Sequence, residues 1–202
     1  MKITPDYDIL TIVGSWNPAI ITHDWVSKYI ISDEKLNIEY PIKDFFASHR
    51  ISTEDFRLYV SPGRFNFSII NHSDPVYIKI GGIALKLADY LIHTPVASFG
   101  LNFIYESDIS EKIDSYFLVG DDTKMTELNL KADLLEIKRG FSQDKCMLNF
   151  NVIRAEKYKF DFNYHFNISS LLDFKEKFEK NSLIEYKKKS IELLSNLYDL
   201  GS

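Results

Sequence analysis

The chain has 202 residues, of which 45% are hydrophobic, 14% aromatic and 26% charged, and its formal net charge is −5. This composition is typical of a folded globular protein and argues against a disordered or fibrous chain. No apolar run reaches the roughly 18 residues of a membrane-spanning helix, the N-terminus lacks the apolar stretch of a signal peptide, and the acidic balance argues against a nucleic-acid partner. We therefore expect one domain over residues 1–202, located in the cytoplasm and not bound to a membrane.

The first part of the chain predicts short strands and one capped helix. Residues 7–13 are apolar and rich in β-branched side chains, and the turn residues that follow them end a strand. Thr22 has the side chain of a helix N-cap, which predicts a helix over residues 23–31. Residues 36–42 predict another strand, and the polar segment 44–55 is typical of a surface connection.

The segment 56–70 has the pattern of a β-hairpin, because alternating apolar residues flank the turn sequence Ser61-Pro62-Gly63. Residues 77–80 then extend a strand or lead into a helix. Gly81-Gly82 predicts a sharp change of direction, followed by an amphipathic helix that starts at Ile83. We expect the apolar stripe of this helix to pack on the sheet.

The second half predicts a meander of strands followed by two helices. Its clearest element covers residues 157–168, where six apolar and mostly aromatic side chains alternate with six polar ones. Such alternation buries one face of a strand and leaves the other polar. Shorter alternating runs occupy residues 99–103, 128–134 and 146–152. Ser170 with Asp173, and Ser182 with Glu185, are capping-box signatures that open the helices.

Together these segments predict an α+β fold in which helices pack on one face of a mostly antiparallel sheet. The one cysteine, Cys146, has no second cysteine to pair with in the chain. It lies among apolar residues of a predicted strand, so we expect a buried, unreactive thiol.

Polar side chains on two successive strands form the first candidate site. Asn149 and Asn151 are separated from Asn163 and His165 by a short turn, so pairing of the strands gathers all four on one face. Asparagine is depleted in strands because its side chain competes for backbone hydrogen bonds, and a cluster therefore suggests binding; an ordinary solvated face is the alternative. Trp16, in a turn, is either an anchor for a partner or part of the core.

An acidic residue and a lysine on one strand form the second candidate site. Glu136 and Lys138 are two positions apart and share a strand face, and Asp121 and Asp122 precede them. Carboxylates in such a pattern hold Mg²⁺, and the lysine stabilises charge on a phosphodiester. Over fewer than twenty residues this pattern resembles the catalytic end of the restriction-endonuclease-like nucleases. The resemblance implies a Mg²⁺-dependent nuclease or phosphodiesterase; a solvated pair on a strand is the alternative.

The third candidate site combines Gly81-Gly82 with Arg64. Backbone N–H groups before a helix bind anions, and Arg64 with the asparagine-bearing face completes a cleft for a small ligand; a simple turn is the alternative at the glycines. The five histidines have no spacing typical of a metal pair. We expect no cofactor and no metal.

Three functions follow from these sites. The preferred hypothesis is a non-enzymatic interaction or assembly module that binds another protein or itself, because we find no catalytic motif and because an open sheet has edges. We assume a bacterial multi-protein system as its context, for example one directed against phage, although no residue indicates this. The nuclease and the small-ligand binder remain the alternatives.

Overall fold

In the residues that the structure describes, ten β-strands form one antiparallel sheet at the centre of the fold. The computed structural model describes residues 1–32, 35–39, 50–109, 111–115, 122–129 and 133–200. The strands are β1 (Lys2–Ile3), β2 (Tyr7–Gly14), β3 (Asn37–Glu39), β4 (Arg50–Ser52), β5 (Phe56–Ser61), β6 (Arg64–Ile69), β7 (Val96–Ser107), β8 (Leu135–Ser142), β9 (Met147–Arg154) and β10 (Tyr158–Asn167). Their order across the sheet is β3-β4-β5-β6-β2-β7-β10-β9-β8, and β1 pairs with the end of β7.

Helices cover one face of this sheet. Those in the described ranges are α1 (His23–Tyr29), α2 (Asp74–Tyr90), α3 (Glu111–Asp114), α4 (Asp122–Glu127), α5 (Leu171–Lys177) and α6 (Ser182–Tyr198). Helix α2 contacts both α5 and α6, and α6 also contacts β7. This arrangement confirms the predicted α+β fold with a mostly antiparallel sheet and helices on one face. No helix in the described part of the chain is long and apolar enough to cross a bilayer.

Strand β10 supplies the aromatic side of the core, as its alternation predicts. It lies between β7 and β9 and pairs with both. Every second side chain from Tyr158 to Phe166 is at most 1% exposed. Phe162 stacks on Phe150 of β9 with ring centroids 4.5 Å apart. The side chains between these aromatic residues point to the opposite face, away from the helices.

Helix α2 begins at Asp74 rather than at Ile83, so the prediction of a turn at Gly81-Gly82 is wrong. Proline suits the first helical turn, and the apolar stripe continues from Val76 through Ile80 at helical spacing. Gly81 has a different role inside the helix. A Cβ there would lie 2.2 Å from the carbonyl oxygen of Lys180. The glycine therefore allows α2 to approach the segment before α6.

Two of the predicted helix caps are present. Thr22 Oγ1 accepts a hydrogen bond from the N–H of Trp25 at 3.2 Å, and Ser170 Oγ accepts one from the N–H of Asp173 at 3.1 Å. Ser182 does not cap α6 in the predicted way. It is the first residue of that helix, and its hydroxyl accepts from the N–H of Glu179, because the preceding turn presents that group to it.

Two strand predictions are displaced. Residues 128, 129, 133 and 134 of the strand expected over 128–134 are not in a strand, residues 130–132 lie outside the described ranges, and β8 begins just after them at Leu135. Leu128 and Leu134 are 69% and 61% exposed, whereas Ile137 packs against the core, and core contact decides which alternating run becomes the strand. Strand β4 lies within the segment predicted as a connection, of which residues 44–49 are not described. Cys146 is buried, as predicted, and burial raises its pKa.

Candidate functional site

The sheet face opposite the helices is lined by polar side chains, and we call it the open face. Its residues alternate with the core residues along each strand, so strand register determines which of them are neighbours. Asn163 of β10 is paired with Asn102 of β7 on one side and with Asn149 of β9 on the other. His165 and Asn151 lie on the same face. The structure therefore brings together the four polar residues that the sequence assigns to a binding face.

Three asparagines form a chain of hydrogen bonds across the open face. Asn149 Nδ2 donates to Asn163 Oδ1 at 3.0 Å, and Asn163 Nδ2 donates to Asn102 Oδ1 at 2.7 Å. Asn102 Nδ2 then donates to the backbone carbonyl of Asp8 in β2 at 2.7 Å. This chain links four adjacent strands and fixes the orientation of each amide.

Gly100 makes room for this chain. It is paired with His165 of β10, and a Cβ at this position would lie 2.9 Å from Nδ2 of Asn163. A side chain in this place would push the Asn163 amide away from Asn102. The glycine is therefore part of the open-face arrangement, although it bears no functional group.

The remaining polar residues of the open face are less tightly bound to one another. His165 Nε2 lies 3.1 Å from Asn167 Oδ1. Asn151 is paired with Asp161 of β10, and burial raises the pKa of the Asp161 carboxyl although Lys159 opposes the shift. Burial raises the pKa because it removes part of the hydration of the carboxylate. A partner that donates hydrogen bonds would replace the lost water contacts and stabilise the charged form.

Trp16 is part of the core, which corrects the expectation that it anchors a partner. It is 4% exposed, and its indole N–H donates to the backbone carbonyl of Ile12 at 3.0 Å. Its ring packs against Phe65 with centroids 5.3 Å apart. The backbone N–H of Trp16 donates to the carbonyl of Pro62 at 2.9 Å, and this bond holds the segment after β2 against the turn between β5 and β6. The exposed apolar residues beside it are Ile20 and Tyr90, which line a shallow cleft of about 340 Å³.

A polar cleft of about 510 Å³ lies on the other half of the open face, and the sequence analysis missed it. We call it the arginine cleft. It is lined by Asp6, Tyr7, Asp8, Arg50, Arg57, Tyr59, Asn66 and Ser68. The alternation of polar residues in the hairpin of β5 and β6 could have predicted the part of the arginine cleft that these two strands form. The two aspartates lie more than forty positions away in sequence, and only strand pairing brings them to the hairpin.

Hydrogen bonds hold the acidic side of the arginine cleft in place. Arg57 donates to Asp6 at 2.6 Å, which raises the pKa of this arginine. Asp8 accepts from Asn66 Nδ2 at 2.9 Å and from the hydroxyl of Ser68. The amide oxygen of Asn66 is buried and has no hydrogen-bond partner among the described residues.

The basic side of the cleft is less constrained. The guanidinium of Arg50 lies over the ring of Tyr59, 5.9 Å from its centroid. Arg50 is exposed and forms no ion pair with a carboxylate in the described part of the chain. Its charge is therefore available to an anionic group.

The residues assigned to a nuclease site are only partly described. Glu136 and Lys138 share the open face of β8, as predicted, and form an exposed ion pair at 3.2 Å. Asp121 lies outside the described residues, and Asp122 begins α4 but its side chain is not described. Within the described residues, no group of three or more histidine, cysteine or acidic side chains is placed to hold a metal ion. The part of the predicted nuclease site that the structure describes, Glu136 and Lys138, is thus a solvated ion pair at a sheet edge.

The third predicted site does not assemble. Arg64 is an exposed residue of β6 on the open face, whereas Gly81 and Gly82 lie in α2 on the helical side of the sheet. The sheet separates them, so they do not line one cleft. The N–H groups of the two glycines are also inside a helix and not at its N-terminus.

Comparisons with protein-family models, with curated proteins and with solved structures found no match to this chain. The geometry of the open face and of the arginine cleft is therefore the basis for a functional proposal.

Proposed function

We propose that this chain is a non-enzymatic interaction module that binds another protein through the open face. The observation that carries this proposal is the hydrogen-bonded chain of Asn149, Asn163 and Asn102 across four strands. Amides neither gain nor lose protons at physiological pH, so a face built from them recognises hydrogen-bonding groups rather than transferring protons.

The dimensions of the open face support this proposal. Seven strands from β5 to β8 are neighbours in the sheet order. At about 4.8 Å per strand they span roughly 29 Å, and at about 3.3 Å per residue a five-residue stretch adds roughly 17 Å. The resulting area of roughly 500 Å² approaches the roughly 800 Å² that each partner contributes to a standard protein interface.

The pre-arranged amides reduce the cost of binding. A side chain that is already held in one rotamer loses little further entropy when a partner contacts it. The partner expected for such a face is a protein surface rich in backbone or side-chain donors and acceptors. We propose a reducing cytoplasm as the compartment, because the one thiol of the chain, that of Cys146, remains unpaired there.

The test begins with capture of partners from the source cells, followed by reconstitution with the purified partner. Asn151→Arg adds charge to the open face at a residue outside the hydrogen-bonded chain, and Asn196→Arg makes the same change at an exposed position of α6. We expect Asn151→Arg to weaken the affinity at least about tenfold and Asn196→Arg to leave it unchanged. Hydrogen exchange should show protection of β9 and β10 in the complex. Equal binding by both variants would contradict the proposal.

The arginine cleft supports a second candidate function, the binding of a small anionic ligand. The specific observation is the exposed Arg50 guanidinium above Tyr59 in a cleft of ligand size. A thermal-shift screen with nucleotides and with di- and tricarboxylic acids tests it. We expect a hit to be abolished by Arg50→Ala and retained by Arg64→Ala, which removes an exposed arginine outside the cleft. If no compound raises the melting temperature, this second function is wrong.

A further inference from the structure

We propose that strand β8 is a self-association edge, at which two copies of the chain pair their β8 strands antiparallel about a twofold axis at Ile137. This inference concerns the backbone edge of the sheet, at the border of the open face, and it does not depend on the function proposed for that face. In the described part of the chain, β8 is the last strand of the sheet and pairs with β9 alone. An eight-residue strand at an edge presents a row of backbone donors and acceptors that a second strand can pair with.

Symmetry restricts how two β8 strands can pair. A twofold axis between antiparallel strands runs perpendicular to the sheet, and it places the helices of both copies on the same side. Residues directly opposite each other then point to the same face. The axis therefore passes beside one residue, which lies opposite its own equivalent in the second copy.

Charge selects the position of this axis. An axis at Glu136, at Lys138 or at Arg139 places that charged residue opposite its identical partner, which destabilises a sheet. An axis at Leu135, Gly140, Phe141 or Ser142 brings no opposite charges of the strand together. An axis at Ile137 places Glu136 opposite Lys138 of the second copy, and the reverse pair forms on the other side of the axis. The alternation of the strand is thus self-complementary in one register.

The other pairs in this register also fit. Ile137, which is partly buried at the edge of the core, meets its equivalent and extends the apolar layer between the copies. Leu134 lies opposite Gly140 of the second copy. Leu134 is 61% exposed, and the nearest atom to a Cβ at Gly140 would be Oδ1 of Asn149, 3.9 Å away. The exposed leucine therefore has open space above the glycine in which to pack.

A dimer of this kind joins two open faces into one surface. Because both copies keep their helices on the same side, the polar faces are continuous across the new strand pair. Each dimer then presents two equivalent binding faces, and a partner that is itself multivalent gains avidity from them.

A charge-swap series tests the pairing in solution by light scattering after size-exclusion chromatography and by sedimentation equilibrium. The wild-type chain should sediment at twice its monomer mass of 23.5 kDa. Glu136→Lys and Lys138→Glu, each alone, place like charges opposite each other and should weaken dimerisation at least about tenfold. The double variant should restore it. A mixture of the two single variants should form a heterodimer, because each then supplies the charge that the other lacks.

Crosslinking tests the register. Ile137→Cys places two thiols at the axis and should yield a disulfide-linked dimer on mild oxidation. Arg139→Cys lies away from the axis and should not, and circular dichroism checks that each variant is folded. A folded chain that remains monomeric up to about 100 μM, where micromolar dimers are populated, overturns the inference. Dimerisation that none of the charge variants changes also overturns it. Neither result tests partner binding at the open face, which is measured separately by the affinity of the partner for the Asn151→Arg variant.

Discussion

Asn149 donates a hydrogen bond from Nδ2 to Oδ1 of Asn163 at 3.0 Å, directly across the pair formed by β9 and β10. Because the oxygen of Asn163 is used in this bond, its Nδ2 points to Asn102, where the next bond of the chain forms. One cross-strand contact thus sets the direction of donors and acceptors over the middle of the open face. The face has a defined hydrogen-bonding pattern even without a partner.

Removal of the central amide should destabilise the sheet. Asn163→Ala eliminates two hydrogen bonds and leaves the amides of Asn149 and Asn102 without their partners, so we expect a loss of about 1–3 kcal/mol in the free energy of unfolding. Asn151→Ala is the matched control, because no hydrogen bond of its side chain is found in the described part of the chain, and it should change stability by less than about 0.5 kcal/mol. Urea unfolding measures both. Equal losses would mean that the chain of amides adds nothing to stability.

Two adjacent glycines of α2 should respond in opposite directions to the same change. Gly81→Ala forces a Cβ to within 2.2 Å of the Lys180 carbonyl oxygen, so the helix has to move, and we expect a loss of about 1–3 kcal/mol. At Gly82 the nearest atom to a new Cβ is the flexible Cε of Lys180 at 3.6 Å. Gly82→Ala should therefore stabilise the helix by about 0.5–1 kcal/mol. Thermal unfolding of the two variants distinguishes these outcomes. If Gly82→Ala were destabilised, the conclusion that Gly82 has room for a side chain would be wrong.

The stability of the protein should fall as the pH drops through the range in which histidine titrates. His72 lies 2.9 Å from the hydroxyl of Tyr77 and stacks on Tyr7, and burial together with the charge of Lys187 lowers its pKa. In the unfolded chain this histidine takes up a proton at about pH 6.5, whereas in the folded chain it does so only at lower pH. Protonation therefore favours the unfolded state as the pH falls below about 6.5.

His72→Gln removes this titration. The decrease in the free energy of unfolding between about pH 7.5 and pH 5.5 should be smaller in His72→Gln than in the wild type. His93→Gln changes an exposed histidine and should retain the wild-type pH dependence. Urea unfolding at each pH provides the measurement. An identical pH dependence in His72→Gln and the wild type would show that His72 is not the responsible group.

The aromatic side of β10 should dominate stability. Phe162 is fully buried between Phe150 and Tyr105, and Phe162→Ala leaves a large cavity, for which we expect a loss of about 3–5 kcal/mol. Phe141→Ala makes the same chemical change at an edge position that is 45% exposed and should cost less than about 0.5 kcal/mol. Chemical denaturation of both variants tests the difference. A similar loss for each would mean that β10 is not the centre of the core.

The sequence predicted correctly the structural elements that depend only on residues close together in the chain. The turn at Ser61-Pro62-Gly63, the caps at Thr22 and Ser170 and the alternation of β10 are all confirmed, because each depends on residues within a few positions of one another. The strand expected over 128–134 is not found at the residues of that range that the structure describes, because alternation of period two occurs in more than one frame and contact with the core selects between the frames. The turn at Gly81-Gly82 was wrong because a glycine pair also permits close helix packing.

The sequence by itself determined that a sheet with one aromatic and one polar face would form, since alternation along a strand dictates the two faces whatever the strands pair with. It also placed Asn149, Asn151, Asn163 and His165 on a common face. The tertiary structure alone decided that Asp6 and Asp8 meet Arg57 and Asn66, that Trp16 is buried, and that β8 is the last strand of the sheet within the described ranges. These features depend on contacts between residues far apart in the chain, and the free energy of such contacts is set by the packing of the whole sheet rather than by any local pattern.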